Sequence, residues 1–228
     1  MRIASYNIRK AVGLDWRRDP NRIQNVLSEI NADVVVLQEA DKRFGAREGV
    51  LYLDRLAEDL GLKLARLTRG GTSHGWHGNV VLVRHQIPVA STRRLMLPSL
   101  EPRGAVLVRL ETPPLEIVGV HLALNRRIRE RQVSRLYRLV TRSGRPAVIA
   151  GDFNHWNPRP GLLNTLGRVI SPGDSFHSSA PIAQLDKFIL VGDISHMGAH
   201  VHKSDMAAIA SDHLPIVIDI VPPKKDTQ

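Results

Sequence analysis

The chain has no cysteine, which at once excludes disulfide frameworks, thiolate zinc sites and cysteine nucleophiles. Aromatics are scarce, at 4% of residues, so any stacking surface must come from few side chains. No apolar run approaches the roughly twenty residues that span a bilayer, and residues 1–7 hold no signal-peptide hydrophobic region. A soluble, cytoplasmic protein without a transmembrane segment is therefore expected. Repeats, low-complexity tracts and long linkers are missing too. What is present is an ordinary globular mixture, 43% hydrophobic and 24% charged over 228 residues. That length buries a core without covalent staples. The expected organisation is one domain over residues 1–222 and a short basic tail over 223–228.

Charge is the conspicuous surplus. Lys plus Arg number 32 against 22 Asp plus Glu, a formal net charge of +10. Such a balance favours polyanionic partners, nucleic acid first and anionic lipid second. Most of the basic residues are arginine, which base composition of the gene explains equally well, so position has to decide. Arg127, Arg131, Arg135, Arg138 and Arg142 share one helical face, opposite Val133, Leu136, Tyr137 and Val140. A solvated outer face is the better reading of that stripe.

Apolar, β-branched runs recur at 3–8, 34–37, 80–83, 105–110, 117–122, 147–150 and 216–221. Several are apolar at every position, the pattern of strands covered on both faces. Ile23, Val26, Leu27 and Ile30 follow helical spacing, as do Val133, Leu136, Tyr137 and Val140, which Ser143-Gly144 and Pro146 terminate. The first third reads strand, helix, strand, helix. Residues 79–122 read as consecutive strands, after which a helix and a strand return. Mixed sheets with helices on their outer faces suit this order, giving one α/β domain.

Polar residues at the ends of buried strands are informative, because a charge there is costly without a partner. Asn7 ends the first strand, and Glu39 follows the apolar run Val34-Val35-Val36-Leu37. Asp152 and Asn154 end another strand, two apart and hence on one side of an extended segment. Asp212-His213 opens the last strand, and His121 lies at the end of Val118-Gly119-Val120-His121. One such acid alone reads as a turn former or helix cap; five sites on different strands do not. Carboxylates, an amide and imidazoles without thiols suit Mg²⁺ or Mn²⁺. Two histidines beside carboxylates supply acid–base groups near neutral pH. Together they point to water-driven hydrolysis of a phosphate ester.

The ordered set Tyr6-Asn7-Ile8, Leu37-Gln38-Glu39, Gly78-Asn79-Val80, His121-Leu122, Gly151-Asp152-Phe153-Asn154, Leu185-Asp186 and Ser211-Asp212-His213 resembles the endonuclease/exonuclease/phosphatase superfamily. That group includes DNase I-like and exonuclease III-like nucleases, inositol polyphosphate phosphatases and sphingomyelinase-like phosphodiesterases. The resemblance implies a four-layer α/β sandwich of two packed mixed β-sheets flanked by helices, with the site at one sheet edge. It implies Asn7 and Glu39 as divalent-metal ligands, with Asp212 close to the metal. Asp152 becomes the carboxylate that orients or deprotonates the attacking water, or serves the leaving group. Asn154 becomes a donor to the scissile phosphate, His213 and His121 the imidazoles facing it, and Asp186 the carboxylate holding the tautomer of His213.

Departures from the pattern are also legible. Ala40-Asp41-Lys42 follows Glu39 where exonuclease III-like repair enzymes carry Thr-Lys, which argues against abasic-site repair. Lys187 follows Asp186, either shaping the pocket or solvating an edge. Residues 69–78 read as a rim loop in which Trp76 stacks on substrate, or as an ordinary loop; the basic stretch around Arg43 offers phosphate contacts, and Asn79 is a further substrate-binding candidate. His196, His200 and His202 read as loop histidines and not as a second metal site. A Mg²⁺/Mn²⁺-dependent phosphodiesterase cleaving nucleic acid is the leading expectation. A phosphodiesterase or phosphatase acting on anionic lipid or a small phosphate ester is the alternative, although no exposed apolar patch is identifiable from sequence. An inactive nucleic-acid-binding module ranks last, since Glu39, Asp152 and His213 are all present.

Overall fold

The computed structural model describes residues 1–42, 47–67, 72–99, 104–157, 159 and 161–223. Among these, two six-stranded sheets form. The first has the order β11 (Ser195–Val201), β12 (Ile216–Val221), β1 (Arg2–Asn7), β2 (Val34–Gln38), β4 (Val80–Arg84), β3 (Leu62–Leu64). The second runs β5 (Val89–Met96), β6 (Gly104–Leu110), β7 (Glu116–His121), β8 (Ala147–Asp152), β10 (Asp186–Val191), β9 (Arg168–Ile170). Both are mixed: β1–β2 and β7–β8 are parallel, and their other pairs are antiparallel.

Alternation along each strand builds three apolar layers. Ile3, Val34, Val36, Val81 and Val83 face Val106, Val108, Ile117, Val148 and Phe188 between the sheets. The intervening residues Ala4, Tyr6, Val35 and Leu37 face outward onto α1 (Pro20–Ile30), alongside α2 (Leu53–Leu60) and α4 (Asp205–Ala210). Val118, Val120 and Ile149 do the same beneath α3 (Arg126–Ser143). The four-layer α/β sandwich follows from strands that bury both faces. The helices have ordinary punctuation. The Asp19 carboxylate caps α1 by accepting from the Asn21 N–H, and Pro20 opens the helix. Asn125 caps α3, which ends at Gly144 in the left-handed conformation. Arg127, Arg131, Arg135, Arg138 and Arg142 are exposed on the outer face of α3, a solvated stripe as expected.

The two parallel pairs determine where polar groups gather. A parallel neighbour requires a crossover, here α1 between β1 and β2 and α3 between β7 and β8. Each crossover brings two carboxyl-terminal strand ends to one edge, where open α/β sheets place ligands. Asn7 lies opposite Gln38, and His121 opposite Asp152. Antiparallel β10 enters with Asp186 opposite Asp152. Among the basic tail residues, 224–228 lie outside the described residues.

Gly151, at the start of the Gly-Asp-Phe-Asn segment, has φ +153, and a Cβ there would stand 1.9 Å from the Val120 carbonyl oxygen on β7. Backbone cannot move aside without breaking the β7–β8 ladder. Gly151→Ala is expected to destabilise the fold by about 3 kcal/mol or more, read as the shift in a urea unfolding curve.

Candidate active site

One carboxylate sits where the two sheets meet. Asp152 is 2% exposed, and its Oδ2 lies 3.1 Å from Nδ2 of Asn7, 3.4 Å from Nε2 of His121 and 3.8 Å from Nε2 of His213. Its Oδ1 accepts from the Asn154 N–H at 2.8 Å. Asn7 belongs to the first sheet and Asp152 to the second, so the amide–carboxylate hydrogen bond crosses the sandwich. Burying an anion here is tolerable because amide and imidazole donors converge on it.

His213 is held from behind. Its Nδ1 lies 2.8 Å from Oδ2 of Asp186, a fully buried carboxylate that also accepts from the Ser175 hydroxyl at 2.6 Å. Phe176 packs on the imidazole with ring centroids 4.9 Å apart. Burial alone lowers the basicity of His213, but the charge and hydrogen bond of Asp186, with Asp152 and Asp212 adding to them, push its pKa up to about 10. The ring is an imidazolium at neutral pH, with Nδ1–H committed to Asp186 and Nε2–H directed toward Asp152.

The other side of the site is richer in oxygen. Asn7 Oδ1 accepts from the Arg9 N–H at 3.2 Å, and the Ser211 hydroxyl donates to the Asn7 carbonyl at 2.7 Å. The turn Arg9-Lys10-Ala11 has three successive positive φ values, 44°, 60° and 57°, a costly conformation for residues with a Cβ. It aims the Lys10 ammonium at the Glu39 carboxylate and the Arg9 guanidinium at Asp212, 3.5 Å away. Among the described residues no three His, Cys, Asp or Glu side chains cluster in ligating geometry. One amide oxygen and two carboxylates nevertheless fit a hard cation such as Mg²⁺, which keeps several waters and takes one or two carboxylates. Asn7, Glu39 and Asp212 are the residues that would hold it.

The remaining expected positions divide. Asn154 joins the centre, in a left-handed backbone (φ 49°), with Nδ2 donating to the Leu122 carbonyl at 2.9 Å. Asn79 is fully buried; its Nδ2 donates to the Gly104 carbonyl at 3.0 Å, strapping the rim to β6 and not joining the Asp152 network. Trp76 is half-buried against the inter-sheet core, with Arg94 over its ring at 4.5 Å and His77 at 4.1 Å. Arg43 lies outside the described residues.

Several functional candidates escaped the sequence reading. Ser175 and Phe176 carry no motif. Arg9 and Lys10 had a usable signal, as basic residues directly after Tyr6-Asn7-Ile8. The exposed aromatics at the mouth are Trp16, 78% exposed beneath the Arg9 guanidinium at 4.4 Å, and Trp156, 56% exposed with its ring edge-on to Phe176. Ile182, whose N–H donates to the Phe176 carbonyl, and Leu124, two residues after Leu122, are exposed at 77% and 64%, apolar groups that sequence did not reveal. His196 and His200 lie on β11 and not in a loop, and His202, which follows β11, pairs with Glu29 at 2.7 Å.

The model of the endonuclease/exonuclease/phosphatase family matches residues 4–213. The chain belongs to that family. Its fold is shared with an endonuclease/exonuclease/phosphatase from Beutenbergia cavernae (TM-score 0.72, 22% identity, covering 97% of this chain and 71% of that one). D. rerio TDP2 complexed with a single-strand DNA product is similar too (TM-score 0.69, 15% identity, 97% and 98% covered). So is a mannosyl-6-phosphatase from Bacteroides thetaiotaomicron (TM-score 0.69, 16% identity, 97% and 99% covered). No curated protein matches the sequence. Members of this family are phosphoester hydrolases and generally use divalent metals. Among the described residues no helix is long and apolar enough to cross a membrane.

Because the folded-state pKa of His213 lies above its ordinary 6.5, protonation favours the folded protein. That contribution is complete below about pH 6.5 and is lost as pH rises through about 10. In chelated protein, Asp186→Asn leaves burial in place and removes the opposing charge. The His213 ring protons are then expected to titrate far below their wild-type midpoint, as followed by NMR, and the stability window above pH 6.5 is expected to close.

Proposed function

We propose that the protein is a Mg²⁺- or Mn²⁺-dependent phosphodiesterase that cleaves nucleic acid by attack of water at phosphorus. The buried Asp152 carboxylate, flanked by two imidazoles at the edge of two sheets, is the observation that carries the reading. Asp152 accepts a proton from the attacking water or orients it, and the His213 imidazolium donates to a phosphate oxygen as negative charge develops. Asp186 and Ser175 fix the ring so that Nε2–H faces the reacting group. His121 and Asn154 supply further donors to the same phosphate. Asn7, Glu39 and Asp212 would hold a divalent cation, which would offset phosphate charge and stabilise the departing alkoxide. Water oxygen adds to phosphorus as its proton passes to Asp152, the bond to the leaving oxygen breaks, and the departing alkoxide takes up a proton from solvent.

Nucleic acid is favoured as substrate by the Arg9–Trp16 stack, a cationic and aromatic platform of the kind that accepts any base. It shares Arg9 with Asp212 and so opens onto the centre. Trp156 offers a second aromatic surface two residues beyond Asn154. A phospholipid or other small phosphate ester is the second reading, supported by Ile182 and Leu124, since exposed aliphatic side chains suit an acyl surface better than a base.

A substrate panel separates these. With Mn²⁺ or Mg²⁺, turnover is expected on single-stranded DNA or RNA and on a bis-aryl phosphate, and to vanish with chelator. Hydrolysis of phospholipid vesicles or aryl monophosphate without cleavage of any nucleic acid overturns the nuclease reading. Asp152→Asn and His213→Ala are each expected to lower kcat about 10²–10⁴-fold; full activity in both variants removes the site assignment.

A further inference from the structure

Lys187 is a departure from the family pattern that carries a charge deep in the protein. It is 2% exposed, although an ammonium is costly to bury without a partner. Along β10, Asp186 turns to His213 and Phe188 enters the inter-sheet core, whereas Ile189 enters the layer beneath α3. Lys187 therefore faces the outer layer, on the reverse side of the strand that carries Asp186. Among the described residues no carboxylate lies within ion-pair distance of it.

Its Nζ goes instead to two backbone carbonyls, donating to Gln184 and, at 3.5 Å, to His155. Those acceptors lie in two different segments of the site. Gln184 stands two residues before Asp186, and His155 directly follows Asn154, whose left-handed backbone needs support from its surroundings. The same two segments are joined by the Phe153 N–H donating to the Leu185 carbonyl at 2.9 Å. Charged groups around Lys187 are Asp186 on its own strand, Asp152 on β8 and His155 in the following loop, with Arg129 of α3 beyond His155. Burial lowers the pKa of Lys187 to about 8 against the opposing pull of Asp186 and Asp152, so at neutral pH it still places positive charge behind both carboxylates.

We propose that Lys187 is a positioning residue, clamping the Asn154 and Asp186 segments together from the blind side of β10 through the carbonyls of Gln184 and His155. The inference rests on the reading of Asp152, Asn154 and His213 as the reacting centre, but its geometric half stands without that reading. A hydrophobic replacement of similar length leaves both carbonyls unpartnered and removes the charge behind the acids.

The test uses full-length Lys187→Met and, where that variant does not fold, Lys187→Gln. With bis-aryl phosphate and Mn²⁺, kcat is expected to fall about 10–100-fold while KM stays within about twofold. Hydrogen exchange supplies the readout that needs no turnover: the Asn154 amide should exchange about tenfold faster or more, while β1 and α1 amides keep their protection. Lys187→Arg, retaining charge and donors, should recover part of both. Unchanged kcat together with unchanged Asn154 protection overturns the proposal, as does a uniform loss of protection across the chain. Faster Asn154 exchange in a protein whose wild type hydrolyses no diester upholds the clamp and instead removes the proposed activity.

Discussion

The hydrogen bond between Asn7 and Asp152 is the constraint on which the site depends. It spans the gap between two sheets whose facing surfaces are mostly apolar, with Gln38 Nε2 donating to the Ser5 hydroxyl on the same inner face. A buried anion in that position is stable only while its donors stay in place, so the register of both sheets is coupled to the geometry of one carboxylate. The parallel pairs make this possible. Each delivers two strand ends to the same edge without a long connection across it, and the crossover helices simultaneously cover the outer faces.

Around that carboxylate, charges are arranged in opposed pairs on separate elements. His213 has Asp186 behind it, Glu39 has Lys10, and Asp212 has Arg9. The last two cations come from a single left-handed turn immediately after Asn7. Backbone strain of this kind persists only where surrounding contacts over-determine it, and here Ser211, Gln38 and Glu39 supply them: the Ile8 N–H donates to the Gln38 carbonyl and the Lys10 N–H to that of Glu39. The turn thus connects the oxygen-rich side of the centre to its exposed mouth, where Arg9 lies over Trp16.

The interior strands other than β10 and the two long helices were legible because burial on both faces writes an unbroken apolar run, and helical burial writes a 3.6-residue period; β10, which opens on Asp186-Lys187, was not read. Edge strands were not legible either. β5 (VASTRRLM) and β11 (SHMGAHV) are mostly exposed on at least one face and carry no such run. The site divided along the same line. Asn7, His121 and Asp152, read at buried strand ends, lie together, and Asp186, which only the family resemblance supplied, lies opposite Asp152. Side chains whose role is set by tertiary neighbours did not announce themselves. Trp76 and Trp156 are indistinguishable in sequence context, yet one is packed beneath Arg94 and the other stands open beside Asn154. Lys187 reads as either a pocket-shaping or an edge-solvating residue and is buried, because its acceptors are main-chain carbonyls that no sequence pattern records.

The surplus of +10 takes on a limited meaning in this frame. Inside the centre, carboxylates and cations nearly balance, so local charge does not by itself draw in a polyanion. Five of the surplus arginines point to solvent from the outer face of α3, on the flank of the sandwich and not at its strand-end edge. Their field reaches about 8–10 Å at physiological salt, enough to raise encounter rates with any anionic surface but not to select one. Selection therefore falls to contacts at the mouth. There the chemistry is mixed, with the Trp16 ring and the Arg9 guanidinium after β1, and exposed Leu124, Trp156 and Ile182 in the segments between β7 and β10. The proposed diester substrate would bring a group on each side of its phosphate toward these two flanks.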